Sequence, residues 1–187
     1  MGVLAISPAD KGGRLYSPSD ILLEASKPFH PLELAYRFLL TKGISTLTLG
    51  ATQKEDFFFA EKLKNSNQKL TKLEINAFKK IEKIAEERLN STKCEQCRFC
   101  LPCPNEIPIP EILRLRNISI GYGQLEFSKE RYNLIGKAGH WWEEKNASLC
   151  QDCNECVPKC PSKLNIPDLL KQTHMLLNEK PKKRLWG

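Results

Sequence analysis

Apolar positions in the first ninety residues fall into two kinds of grouping. Gly2 to Ser7, "GVLAIS", and Ile44 to Leu49, "ISTLTL", are short apolar runs ended by Pro8 and Gly50. Runs of that length bounded by turn residues predict strands buried on both faces. Pro31 to Lys42, "PLELAYRFLLTK", opens on proline, stops at Gly43 and predicts a helix with Leu32, Leu34, Ala35, Phe38 and Leu39 on one face. Gln53 to Asn65 predicts another helix, and residues 8–30, with prolines at 8, 18 and 28, read as loop. Thr71 and Glu74 have the spacing of a capping box. The helix they open repeats Ile75, Phe78, Ile81 and Ile84 at helical spacing, carries alternating charges on its outer face and ends near Asn90.

Strand, helix, strand, helix over residues 1–65 is a βαβα unit, which predicts an α/β architecture with parallel strands. Two parallel strands cannot cover their own faces and edges. The expectation is that further sheet covers them, supplied by another chain or by a longer form of this one. From Ser91 onward cysteine, proline and short helical patches dominate. "IPIPEILRLRN" and "NIPDLLKQTHMLLNE" each follow a cysteine run with a proline at the helix start, an internal repeat. Two domains are therefore expected, 1–90 and 91–187, the second mainly α-helical.

Composition narrows the class without choosing a partner. The 187 residues are 41% hydrophobic and 27% charged, as in a globular chain. A formal net charge of +7 suits an anionic partner such as a dinucleotide phosphate or an acidic protein. The chain carries no recognisable nucleic-acid motif, so its basic balance reads as solvated surface. No apolar run reaches the ~18–20 residues that span a bilayer, and the N-terminus lacks a secretory signal. A cytoplasmic location is the expectation, and thiols are kept reduced there.

Eight cysteines then read first as metal ligands, since they cluster in two short runs instead of spreading as disulfide partners would. The first run is Cys94, Cys97, Cys100, Cys103 and Pro104; the second is Cys150, Cys153, Cys156, Cys160 and Pro161. The second matches C-x2-C-x2-C-x3-C-P, the bacterial ferredoxin pattern. Three thiolates at that spacing can each bond a different iron of one cube, while the intervening N–H groups make a concavity for its sulfides. The fourth cysteine of such a run goes to the other cluster. That rule gives Cys94, Cys97, Cys100 and Cys160 to one 4Fe-4S cluster, and Cys150, Cys153, Cys156 and Cys103 to the other. The first run departs from the pattern in its last gap, which is two residues. A single cluster, or two zinc ions on eight thiols, are the competing readings.

The other candidates carry plainer readings. "GHWW", Gly139 to Trp142, would shield a cluster from water or simply anchor a core. His30 and His174 are isolated, and thiols suffice for the metal. The basic end "KPKKRLWG" would be a solvated tail or a dock for an acidic redox partner.

"AISPADKGGRLYSPS", "HPLELAYRFLL" and "STLTLGATQKED" resemble the last two β/α units of the aldo/keto reductase barrel. "CEQCRFCLPCPNEIPIPEI" resembles the ferredoxin-type extension of one branch of that family, in which the short gap before the fourth cysteine also occurs. The resemblance covers nearly the whole chain, and its cysteine tail is the specific part. It implies a (β/α)8 barrel, incomplete here, with NADP(H) at the C-terminal ends of the strands in the full-length enzyme. Ser7, Lys11, Gly12, Gly13 and Arg14 would then contact the cofactor after the seventh strand, and Gly50, Ala51 and Thr52 after the eighth. The family's catalytic Asp, Tyr, Lys and His lie on earlier strands, so no catalytic residue carries over; Asp10, Lys11 and Tyr16 fall in the wrong unit. Ala60 stands near the place of an Asn that contacts the family's cofactor. The resemblance implies an iron–sulfur oxidoreductase fragment whose tail transfers electrons through two 4Fe-4S clusters. Its partner would be a redox protein or a missing N-terminal barrel half in a split reductase. Clusters that only hold the tail together are the structural alternative.

Overall fold

The structure, a computed structural model, describes residues 1–9, 14–51, 53–63, 69–136 and 145–179. It divides into two compact units, residues 1–84 and 85–187. The division falls a few residues before the expected boundary at 90, within a helix that runs unbroken through it.

In the first unit β1 (Leu4–Ala5) and β2 (Thr46–Leu47) pair in parallel, Leu4 opposite Thr46 and Ala5 opposite Leu47. Both strands are shorter than the apolar runs that announce them, and they are not buried. Leu4 is 55% and Ile6 73% exposed. Leu47 and Leu49 pack against the buried cluster of Ala9, Leu32, Tyr36 and Leu63, whereas nothing among the described residues covers Leu4 and Ile6 on the other face.

Residues 8–30 are more ordered than a loop. A 3-10 turn covers Arg14–Tyr16, and α1 (Asp20–Ser26) is capped by Ser19, whose Oγ accepts from Leu22 N at 3.2 Å. The cap was legible in "SPSD" and was outweighed by three prolines. In α2 (Pro31–Leu40) the buried side includes Leu32, Leu34, Tyr36 and Arg37. Phe38, expected on the core face, is 41% exposed and meets the Phe78 ring edge-on at 5.7 Å. His30 caps α2: its Nδ1 accepts from Leu32 N at 3.2 Å, and its ring stacks on Phe59. The helix expected over 53–65 is a 3-10 turn, Lys54–Phe57, followed by α3 (Phe58–Lys62); residues 64–68 lie outside the described set.

The capping box at the start of α4 (Lys72–Leu89) forms. Glu74 N donates to Thr71 Oγ1 at 3.2 Å, and Thr71 N donates to Glu74 Oε2 at 2.6 Å. Glu74 does more than cap. Arg37 Nε donates to its Oε1 at 2.6 Å and Nη2 to its Oε2 at 3.3 Å, with both side chains buried. Glu74, Ala77, Ala85 and Leu89 are the buried positions of α4, whereas Ile75 is 41% exposed. Small residues mark the close approach. A Cβ on Gly121 would stand 3.0 Å from Leu89 Cδ1 and 3.3 Å from Ala85 Cβ.

The second unit is α-helical: α5 (Ile109–Tyr122), α6 (Leu125–Tyr132) and α7 (Ile166–Leu177). α5 ends at Gly123, whose φ of +69° is the left-handed stop that favours glycine. Ile107, Ile109, Ile112, Leu113, Ile135, Ile166, Leu170 and Leu177 are fully buried in its core, which also includes Cys100, and five further cysteines, Cys94, Cys103, Cys150, Cys156 and Cys160, pack against it. No helix among the described residues is long and apolar enough to cross a membrane.

The Arg37–Glu74 pair sets an acid sensitivity. The Arg37 guanidinium holds the Glu74 carboxyl below its ordinary value of 4.5. A depressed folded pKa gives stability that is present above the unfolded value and is lost as pH falls through the folded one. Arg37→Met leaves a buried carboxylate unmatched and is expected to destabilise the protein by about 3 kcal/mol at neutral pH. Urea unfolding across pH should also show that the variant loses less stability on acidification than the parent does.

Candidate metal centre

The two cysteine runs adopt one backbone twice. Non-glycine residues with positive φ recur at matching places: Gln96 (59°) and Asp152 (55°), Arg98 (67°) and Asn154 (61°), Glu106 (56°) and Lys163 (52°). Each left-handed residue is strained unless its surroundings fix it. Alternating left- and right-handed residues turn successive N–H groups toward one side, the concavity that suits an anion. Turn hydrogen bonds repeat as well. Glu106 N donates to Cys103 O at 2.9 Å and Lys163 N to Cys160 O at 3.0 Å. Leu101 N donates to Arg98 O and Val157 N to Asn154 O, both at 3.1 Å. Both runs then lead into helices that begin Ile-Pro, α5 and α7.

Two cavities lie against these loops. The first is walled by Cys94, Cys97, Cys100 and Cys160 together with Glu95, Arg98, Leu113 and Ile166. The second is walled by Cys150, Cys153, Cys156 and Cys103, and by Cys100, which the two share. Leu170 and Ile109 stand in the second where Leu113 and Ile166 stand in the first. The first cavity thus takes three thiols from its own run and Cys160 from the other, and the second takes three from its own run and Cys103 from the other, with Cys100 shared between the two walls. Apart from sulfur their walls are largely apolar. All eight thiols are free. Among the described residues no three His, Cys, Asp or Glu side chains converge on a point that would hold a single metal ion.

Burial raises the thiols. Desolvation pushes Cys94 above its ordinary value and lifts Cys100 and Cys156 to about 11, with the neighbouring sulfurs adding to the effect. Thiolates at these places therefore need a cation to compensate them. Cys97 and Cys153 are exposed.

Two polar side chains that sequence reasoning missed hold the loops. Asn117 on α5 clamps the start of the first run: its Nδ2 donates to Cys94 O at 2.8 Å and its Oδ1 accepts from Cys94 N at 3.4 Å. His174 on α7 does the corresponding work indirectly. Its Nδ1 bonds the Tyr132 hydroxyl at 2.6 Å, and that hydroxyl accepts from Ala147 N at 3.3 Å. Ala147 O in turn accepts from Cys150 N at 3.2 Å. Burial raises the Tyr132 hydroxyl to about 12, so it stays protonated at neutral pH. Asn117 and His174 each lie fourteen residues after the last cysteine of a run, a repeat signal that the sequence did contain.

The nucleotide loop fares differently. Ser7 and Gly50 follow β1 and β2, so the parallel pairing brings them to the same end of the sheet, with Ala51 next to Gly50. Arg14 opens the 3-10 turn, which Ser17 N closes by donating to Arg14 O at 3.3 Å, and Leu15 N donates back to Ala9 O at 3.0 Å. Lys11, Gly12, Gly13 and Thr52 lie outside the described residues, as do Asp10, the "GHWW" segment and the basic C-terminus. A cavity of about 370 Å³ in this unit is walled by Tyr36, Leu40, Leu47, Leu49, Ala60 and Leu63, and by none of the loop residues.

No family model, curated protein or solved structure matches this chain.

Differential burial gives a direct check. Alkylation of the metal-free protein at pH 8, followed by mass spectrometry, should label Cys97 and Cys153 first and Cys100 and Cys156 last. Asn117→Ala should destabilise the second unit by about 1–3 kcal/mol, because it leaves the Cys94 backbone groups without their partner.

Proposed function

We propose that this chain binds two 4Fe-4S clusters and moves electrons one at a time between them. The observation that carries the reading is the pair of cavities, each walled by three thiols of one run and the last cysteine of the other, with Cys100 reaching both walls. Cys94, Cys97, Cys100 and Cys160 would hold the first cluster; Cys150, Cys153, Cys156 and Cys103 would hold the second. The donor set fits. Four thiols spread around an apolar cavity suit the corners of a cube, and the repeated left-handed backbone offers N–H groups to its sulfides. A zinc ion asks instead for thiols drawn together at about 2.3 Å from one point. When bound, the clusters supply one-electron redox chemistry. The protein's part is to place the thiols, exclude water with Leu113, Ile166, Ile109 and Leu170, and fix the loops through Asn117 and the His174–Tyr132 pair.

We take the chain to act as the electron-transferring tail of an NADP(H)-dependent oxidoreductase resembling the aldo/keto reductases. It contributes ligands to that enzyme and no general acid. A split reductase, completed by a separate chain, is favoured by one observation: Val3, Leu4 and Ile6 are apolar, lie in and beside β1 and are exposed. Eight reduced thiols suit the cytoplasm.

Anaerobic reconstitution tests the reading. The loaded protein should contain about eight irons and eight sulfides per chain, and a broad absorption near ~400 nm should bleach with dithionite. Cys160→Ala and Cys103→Ala should each reduce the iron content by about half, through different clusters. Two zinc ions without sulfide would sink the proposal.

A further inference from the structure

The two halves of the repeat share a backbone but not a charge. At the second position after the leading cysteine, the first loop carries Gln96 and the second Asp152, both left-handed. Gln96 Nε2 donates to Cys94 Sγ at 3.5 Å. Asp152 Oδ1 lies 3.9 Å from Cys150 Sγ, where it accepts from the thiol. Once Cys150 is an iron-bound thiolate that proton is gone, and a carboxylate faces a ligand sulfur. One ligand sulfur thus receives a hydrogen bond while its counterpart meets a negative charge.

Ion pairs reinforce the difference. Each loop is tied to a helix by one pair, and the two pairs are turned opposite ways. Arg98 Nη1 bonds Glu111 Oε1 at 2.9 Å, and Arg98 is the member that lines the first cavity. Lys171 Nζ bonds Asp152 Oδ2 at 2.7 Å, and Asp152 is the member beside the ligand sulfur. Glu95 also lines the first cavity, but Lys93 lies 3.5 Å from its Oε1. Positions 95 and 98 of the first wall correspond to the uncharged Gln151 and Asn154 of the second.

Hydrogen bonds to the sulfurs and net local charge are principal controls on cluster potential. A donor to sulfur and a near cation favour the reduced, more negative cluster; a near carboxylate disfavours it. We propose that the two sites are unequal: the first, walled by Cys94, Cys97, Cys100 and Cys160, has the higher reduction potential. The inference rests on the two-cluster reading above. In the exchange that follows, one electron leaves the reduced second cluster and reduces the oxidised first one. No bond forms or breaks and no proton is taken up. An external one-electron reductant, dithionite in the experiment, supplies the electron.

The test is a dithionite titration of the reconstituted full chain at low ionic strength, followed by EPR and visible absorption. Low salt limits the screening of Asp152, whose side chain is 45% exposed. The expected result is two one-electron steps with at least a tenfold preference for the first cluster, or about 59 mV. Asp152→Asn should raise the lower step alone, and Gln96→Glu should lower the upper step alone. Steps that coincide in the parent protein, or that stay in place in both variants, overturn the inference. Iron and sulfide are measured on the same samples. A parent protein without two clusters' worth of each refutes the cluster reading itself. Full content with coincident steps refutes only the inequality. If Asp152→Asn does not load, Lys171→Met leaves Asp152 unmatched and should lower the lower step; no shift there also overturns it.

Discussion

The crossing of the fourth cysteine is the constraint on which the second unit depends. Cys103 ends the first run yet lines the second cavity, and Cys160 ends the second run yet lines the first. Neither run can complete a site alone. α5 and α7, which leave the two runs, must pack together before either set of four thiols is assembled. Ile109 and Ile166 begin those helices, are 1% exposed and also wall the cavities. The same residues therefore close the core and shape the sites. Burial holds the Cys94, Cys100 and Cys156 thiols in their neutral form. On the two-cluster proposal, loading draws off those protons, and folding and loading become one linked equilibrium.

The first unit rests on a different interaction. Arg37 and Glu74 join α2 to the first turn of α4, and the carboxylate that satisfies Arg37 also closes the capping box with Thr71. A buried ion pair is not a strong source of stability by itself. Here its value is positional, because its hydrogen bonds fix where α4 begins. The two-residue strands are the weakly defined part of the unit. Their pairing is parallel, an arrangement found almost always with both faces covered, and here the apolar side chains beside it are exposed.

How much of this was legible in the sequence follows from which forces act locally. The T-x-x-E signal at Thr71 and Glu74 was readable because both partners lie within one turn. The grouping of the cysteines around the two cavities was readable because three thiols of each group are local, and the ferredoxin rule already paired Cys160 with the first group and Cys103 with the second. The burial pattern of α4 was not readable. Period alone favoured Ile75, and the close packing at Ala85 and Leu89 depends on Gly121, far along the chain. Arg37 was hidden for a similar reason: an arginine within an apolar helical run looks solvated until its carboxylate partner arrives from another helix. The left-handed residues divide along chemical lines. Asp152 and Asn154 are types that tolerate that conformation, whereas Gln96 and Arg98 are not. Their angles are imposed by the loop closing on its cavity.

That last point separates two kinds of information in the repeat. The backbone angles agree between halves within about 10° at every matched left-handed position. The side chains at those positions are free to differ, and they do so in charge: Gln96 against Asp152, Arg98 against Asn154, Glu106 against Lys163. A geometry held constant while its charges change is what the two-cluster proposal calls for, a pair of equal-sized occupants with unequal electronic demands. The shape of such an occupant would constrain the main chain, because the N–H groups and sulfurs would have to meet it at fixed places. Its potential would be set from outside the ligand shell, where a carboxylate can replace an amide without moving a single thiol.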